Sequence, residues 1–224
     1  MKYLGHLSPD DPLYGYLSGE ILPQLGIGGA SPDFRVYRLP GSNHVYLYED
    51  RCTGVRLVGK FFGGMPDRSP ESAFRSMERE FSNLHHLRGL GFTGYPHYIA
   101  RPLGRNAGLG CLLVEEYCYG RTLTDFILEA MRKGARESLF EKLSALACFL
   151  ATLHNRTASS ERVDFERDCA YFDRIVGQLK HWGHMDCHEA EELHLLKERW
   201  REKECMWEDS RVLVHGDVTP ANIL

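Results

Sequence analysis

The stretch VLVHGDVTPANIL, Val212 to Leu224, sets two polar side chains on one short loop: Asp217 and, five residues on, Asn222. Val212, Leu213 and Val214 favour β structure, Pro220 marks a loop, and Ile223 and Leu224 could open another strand. A carboxylate and an amide at this spacing suit phosphoryl transfer from a nucleotide. The carboxylate takes or orients the attacking hydroxyl, and the amide oxygen holds Mg²⁺ against the phosphates. The same residues would also serve as a buried strand running into an ordinary turn, with Asp217 and Asn222 making turn hydrogen bonds. What lies upstream decides between the two.

The chain of 224 residues is 43% hydrophobic, enough for one large or two small cores. A formal charge of -4 provides no broad basic field, so neither nucleic acid nor an anionic membrane is expected as a partner. The longest apolar run, Ala145 to Leu153, falls far short of the ~20 residues that span a bilayer. The N-terminus lacks the layout of a signal peptide, and a cytoplasmic protein is expected. The seven cysteines are scattered, odd in number and without a C-x-x-C pair, which argues against both a disulfide framework and a zinc ribbon.

Working back along the chain, Met1 to about Pro32 suggests short helical turns and loops. From Phe34 the run FRVYRLPGSNHVYLYEDRCTGVRLVGKFF reads as three antiparallel strands, near Phe34–Leu39, Val45–Glu49 and Val55–Phe62. The third carries Lys60 within the apolar stretch Leu57–Phe62, and a half-buried lysine must find an anion or snorkel to solvent. Ser69-Pro70-Glu71 then has the form of an N-cap, an N1 proline and an acidic first turn. Phe74, Met77, Phe81, Leu84 and Leu87 follow at helical spacing. Glu80 flanks that apolar face, whereas Glu78 and Arg79 lie farther round. Strands near Ile99–Gly104 and Cys111–Glu116 lead to a glycine-marked link. Helices follow over Thr124–Lys133 and Ser138–His154, the second with Leu139, Leu143, Leu146, Leu150 and Leu153 as a core-facing stripe. Two more helices, broken around Trp182-Gly183, fill Asp164–Trp207. There His184 and His188 are formal Zn²⁺ candidates if they share a helix face, and Glu189, Glu191 and Glu192 read as a solvated face or as part of an acidic rim for a cationic substrate.

HGDVTPANIL, with LATLHN closing the long helix, resembles the aminoglycoside phosphotransferase and choline kinase-like branch of the protein kinase-like fold, over roughly residues 34 to 224. The resemblance implies an α+β, two-lobed fold. After an N-terminal extension (1–33) comes an N-lobe with an antiparallel sheet and one helix (34–116), then a mainly helical, incomplete C-lobe (117–224), with nucleotide in the cleft between the lobes. It also implies roles. Asp217 is the base or orienting carboxylate, braced by His215, and Asn222 is a Mg²⁺ ligand. Lys60 clamps the phosphates and Glu80 positions it, with Glu78 as the fallback. Gly41, Ser42 and Asn43 belong to a phosphate-covering turn similar to GGSNxVY, though only one of them is glycine. The Glu116 carbonyl and the Cys118 N–H meet the base.

The activity so implied is transfer of the γ-phosphoryl group of ATP, or of GTP, to a hydroxyl of an aminoglycoside-, choline- or sugar-like small molecule. Gly216 and Thr219 depart from the protein-kinase pattern and favour a small-molecule acceptor. The family's second metal-binding Asp would follow Leu224, so the sequence is expected to be a fragment with little or no turnover and an exposed apolar C-lobe surface. A pseudokinase-like nucleotide-binding or regulatory module is the alternative. A protein kinase is a third reading.

Overall fold

The computed structural model describes residues 1–28, 31–40, 44–64, 68–214 and 219–224. It divides into two compact units, Met1–Asp125 with Leu224, and Phe126–Ile223.

In the first unit, strand β1 (Lys2–His6) is followed by helix α1 (Pro12–Tyr16), a π turn (Leu17–Ile21) and a 3₁₀ turn (Leu22–Leu25). Next come β2 (Phe34–Arg38), β3 (His44–Asp50), β4 (Arg56–Phe61), helix α2 (Pro70–Gly89), a small hairpin of β5 (Thr93–Gly94) and β6 (His97–Tyr98), then β7 (Pro102–Asn106) and β8 (Leu112–Glu116). Six of these strands form one sheet in the order β1-β2-β3-β4-β8-β7, antiparallel throughout. Pro102 opens the edge strand β7, where a residue without an N–H costs no ladder bond on the open side.

The sheet is covered on both faces. On one, Leu57, Leu112 and Val114 pack with Phe34 and Tyr48 against Leu13, Tyr16, Leu17, Ile21 and Leu22 of the N-terminal turns. Residues 2–25, part of the stretch to about Pro32 that the sequence offers as turns and loops, therefore supply both a strand and half a core layer. On the other face, Phe62 and Leu113 pack against Ala73 and Met77 of α2, with Phe81 and Leu84 beside them. α2 starts as its sequence requires: Ser69 Oγ accepts from the Ser72 amide at 3.3 Å, and Pro70 occupies the first turn.

The second unit is helical: most of α3 (Leu123–Lys133), then α4 (Arg136–Thr157), α5 (Phe165–His181), α6 (Cys187–Arg201) and α7 (Cys205–Glu208). Two sequence expectations need correction. The stripe on α4 is not a continuous core face: only Leu153 is fully buried, while Leu143 is 38% exposed. Val212–Val214 forms no strand. Residues 209–213 run irregularly beside 157–163, tied by Val163 N to Asp209 O (3.0 Å), Arg211 N to Glu161 O (2.8 Å) and Leu213 N to Thr157 Oγ1 (3.0 Å). A single bridge between Arg162 and Ser210 offers no ladder to extend, and β propensity without a partner strand yields extended chain only.

Candidate active site

Alternation along β4 decides where Lys60 goes. Leu57 and Gly59 turn to the N-terminal face of the sheet, so Lys60 turns to the face that α2 covers. Gly59 is required there: a Cβ at this position would come within 2.8 Å of the Tyr48 ring. Opposite β4, the register pairs Lys60 with Leu113 and Val58 with Glu115, which puts Glu115 on the same face as Lys60.

Three charged side chains meet there. Lys60 Nζ donates to Glu80 Oε1 at 2.6 Å and lies 3.1 Å from Glu115 Oε1. The second contact is an ion contact without the alignment of a hydrogen bond, so Glu115 Oε1 is buried with no directed donor. Exposure grades across the group: 27% for the Lys60 side chain, 34% for Glu80 and 8% for Glu115. Burial disfavours the Lys60 ammonium, but Glu115 and then Glu80 outweigh it and hold its pKa above the ordinary lysine value. Glu115 is pushed above the ordinary carboxylate range, first by burial and then by Glu80, with Lys60 opposing. Glu78, the fallback partner, is engaged elsewhere. It pairs with Arg105, whose guanidinium lies 4.1 Å over the Phe81 ring.

β8 then runs out of the sheet. The Glu116 amide donates to Arg101 O at 3.0 Å and the Tyr117 amide to Arg56 O at 3.3 Å, and at Cys118 the chain has left both ladders. The Glu116 carboxylate is occupied: it accepts from the Arg101 amide at 2.6 Å and from the Tyr98 hydroxyl, with Arg88 3.8 Å away. The Glu116 side chain is thus taken up by the protein's own donors. The Cys118 thiol is held protonated above its usual value by burial, then by Glu116 and Glu115, and is unsuited to nucleophilic work.

Asn222 closes the 3₁₀ turn Pro220–Asn222, its amide donating to Thr219 O at 2.9 Å. Gly41, Ser42, Asn43, His215 and Asp217 lie outside the described residues. His184 and His188 do not share a helix. A capping box starts α6 at Cys187, with Asp186 Oδ1 accepting from the Glu189 amide (2.8 Å) and Glu189 Oε2 from the Asp186 amide (2.9 Å), and this leaves His184 in the preceding turn. His188 instead faces Glu192 at 3.5 Å. Among the described residues no group of three or more His, Cys, Asp or Glu is arranged to hold a metal ion. Nor is any helix among them long and apolar enough to cross a membrane.

Glu115 escaped the sequence reading. Its one signal was a charged residue at the end of the apolar run LLVEEY, and only the β4–β8 register places it against Lys60.

An antiparallel sheet carrying a lysine, one helix that returns a glutamate to it, and a mainly helical remainder define the kinase-like class of phosphotransferases. The chain belongs to the phosphotransferase enzyme family, whose family model matches residues 35–224. Comparison with curated proteins and with solved structures gave no match.

Proposed function

We propose that the chain binds ATP, or GTP, with Mg²⁺ and serves transfer of the γ-phosphoryl group to a hydroxyl of a small molecule of the aminoglycoside, choline or sugar kind. The observation that carries this is the Lys60–Glu80 pair at 2.6 Å, on the strand and helix from which a phosphate clamp is built. Lys60 fits an anion: it is a charged ammonium on a covered sheet face, pre-oriented by the Glu80 carboxylate and still 27% exposed. The backbone beyond Glu116, having left its ladder, fits a base edge, with the Glu116 carbonyl accepting and the Cys118 N–H donating.

Asp217 accepts or orients the acceptor hydroxyl's proton, and His215 braces its loop. Gly41, Ser42 and Asn43 cover the phosphates. Asn222 supplies an amide oxygen for Mg²⁺, which when bound neutralises charge on the phosphates. With a loose transition state, positioning and charge neutralisation do most of the work, so Asp217 matters to turnover more than to affinity.

The test is thermal unfolding with and without Mg·ATP or Mg·GTP. At a hundredfold excess over Kd, nucleotide stabilises by about 2.7 kcal/mol. Lys60→Ala removes this stabilisation, while Asp217→Asn retains it. If neither nucleotide shifts the wild-type transition, the reading is wrong. A hydroxyl-acceptor screen with labelled ATP then separates a transferase from a binding module.

A further inference from the structure

Two carboxylates share one ammonium in this site, and only one of them is needed to orient it. Glu80 holds Lys60 with a directed bond, whereas Glu115 sits deeper, 8% exposed, with Oε1 3.1 Å from Nζ and no aligned donor. With all three groups ionised the cluster is net negative beneath the face where phosphates must come to Lys60. Such charges interact strongly because little water separates them. Among the described residues, the ion contact that Glu115 makes is with Lys60, at 3.1 Å. Lys60 faces it from β4, Glu80 from α2 and Glu116 from its own strand, Pro102 stands opposite on β7, and the Cys118 thiol lies beyond the strand end.

We propose that Glu115 is a positioning residue that shares Lys60 with Glu80 in the free protein and surrenders it when phosphates bind, taking up one proton from solvent as it does so. The step balances: the carboxylate gains a proton to become a neutral carboxylic acid, no other bond forms or breaks, and Lys60 keeps its charge and exchanges one anionic neighbour for another. A buried carboxylate left beside arriving phosphate oxygens without its cation is neutralised most cheaply by protonation. Burial has already moved Glu115 in that direction. Nucleotide affinity is thereby linked to pH through a residue that touches the clamp and not the reacting atoms.

This inference rests on the nucleotide reading of the site, and the experiment separates the two. Mg·ATP is titrated calorimetrically into the chain, under saturating Mg²⁺, in buffers of different ionisation enthalpy. The titration is repeated with Glu115→Gln, which keeps the shape and removes the charge, and folding of the variant is checked by its thermal transition. The wild type takes up a substantial fraction of a proton per nucleotide, and its affinity weakens several-fold between about pH 6.5 and about pH 8.5, against a limit of roughly tenfold per pH unit for one full proton. Glu115→Gln takes up close to none and varies less than about twofold over the same range. Binding by the wild type without proton uptake, or equal uptake by both proteins, overturns the role of Glu115 and leaves the phosphotransferase reading standing. Absence of Mg·ATP binding by both proteins at every pH overturns that reading and the inference with it.

Discussion

Lys60 stands between two carboxylates, 2.6 Å from Glu80 and 3.1 Å from Glu115, and its removal leaves them facing each other without a cation. Breaking a fully buried pair costs about 3–5 kcal/mol; the partial exposure of Lys60 and Glu80 lowers the expected loss for Lys60→Met to roughly 2 kcal/mol at neutral pH, readable by urea unfolding. The pH dependence follows from Glu115. Its folded-state pKa is raised, so its protonated form contributes stability that is full below the ordinary glutamate value and is lost as pH rises through the folded value. Wild-type stability should therefore decline with pH across that window, more steeply in Lys60→Met, and Glu115→Gln should flatten it. A decline unchanged in Glu115→Gln would assign the titration to another group. Lys60 was legible in the sequence as a charged residue within a strand pattern, and Glu80 through its place beside a helix stripe together with the family resemblance, which left Glu78 as the fallback. Glu115 was not, because the sequence records which residues alternate but not which strand lies alongside.

Elements hold these residues in place through contacts that are themselves open to test. The β3–β4 hairpin turns on Asp50, only 1% exposed, whose carboxylate accepts from the amides of Asp33 (2.9 Å), Cys52 (3.2 Å) and Thr53 (3.1 Å) and from the Thr53 hydroxyl (2.5 Å). Burial alone would raise its pKa, but the Thr53 hydroxyl and these amides outweigh burial and lower it. Its contribution is present above the ordinary aspartate value and is lost as pH falls through the depressed one. Asp50→Ala strands several donors and should cost about 3 kcal/mol by urea unfolding at neutral pH, with the deficit narrowing in acid. Gly104 tests the N-terminal layer in the same way. A Cβ there would meet the Tyr16 hydroxyl at 2.5 Å and Ile21 at 2.7 Å, so Gly104→Ala should cost about 1–3 kcal/mol. A neutral result would mean that the N-terminal turns are not seated on the sheet. That seat was invisible in the sequence, where the short turns between β1 and β2 have no periodicity to announce a buried face. α2 announced itself through its cap, its proline and five apolar positions at helical spacing.

At the scale of the molecule, burial is unevenly shared between the two units. The sheet unit hides whole side chains on both faces, whereas the helical unit carries Phe140 at 62%, Leu195 at 63% and Trp200 at 47% exposure. Helical spacing locates an apolar stripe without saying how much of it another element covers, which is why α4 read as a core helix along its whole length yet fully buries only Leu153. Two substitutions distinguish covered from uncovered leucines. Leu153, at 2% exposure, leaves a cavity when cut to alanine and should cost about 2–5 kcal/mol. Leu195→Glu puts a charge where water already reaches and should change stability by less than about 0.5 kcal/mol. It should also lower any binding of an apolar dye, because the exposed face of α6 loses one of its larger side chains. Urea unfolding followed by far-ultraviolet circular dichroism reads both variants on the helical unit directly. A large loss in Leu195→Glu would mean that this face is covered in solution, and would make α6 part of a core.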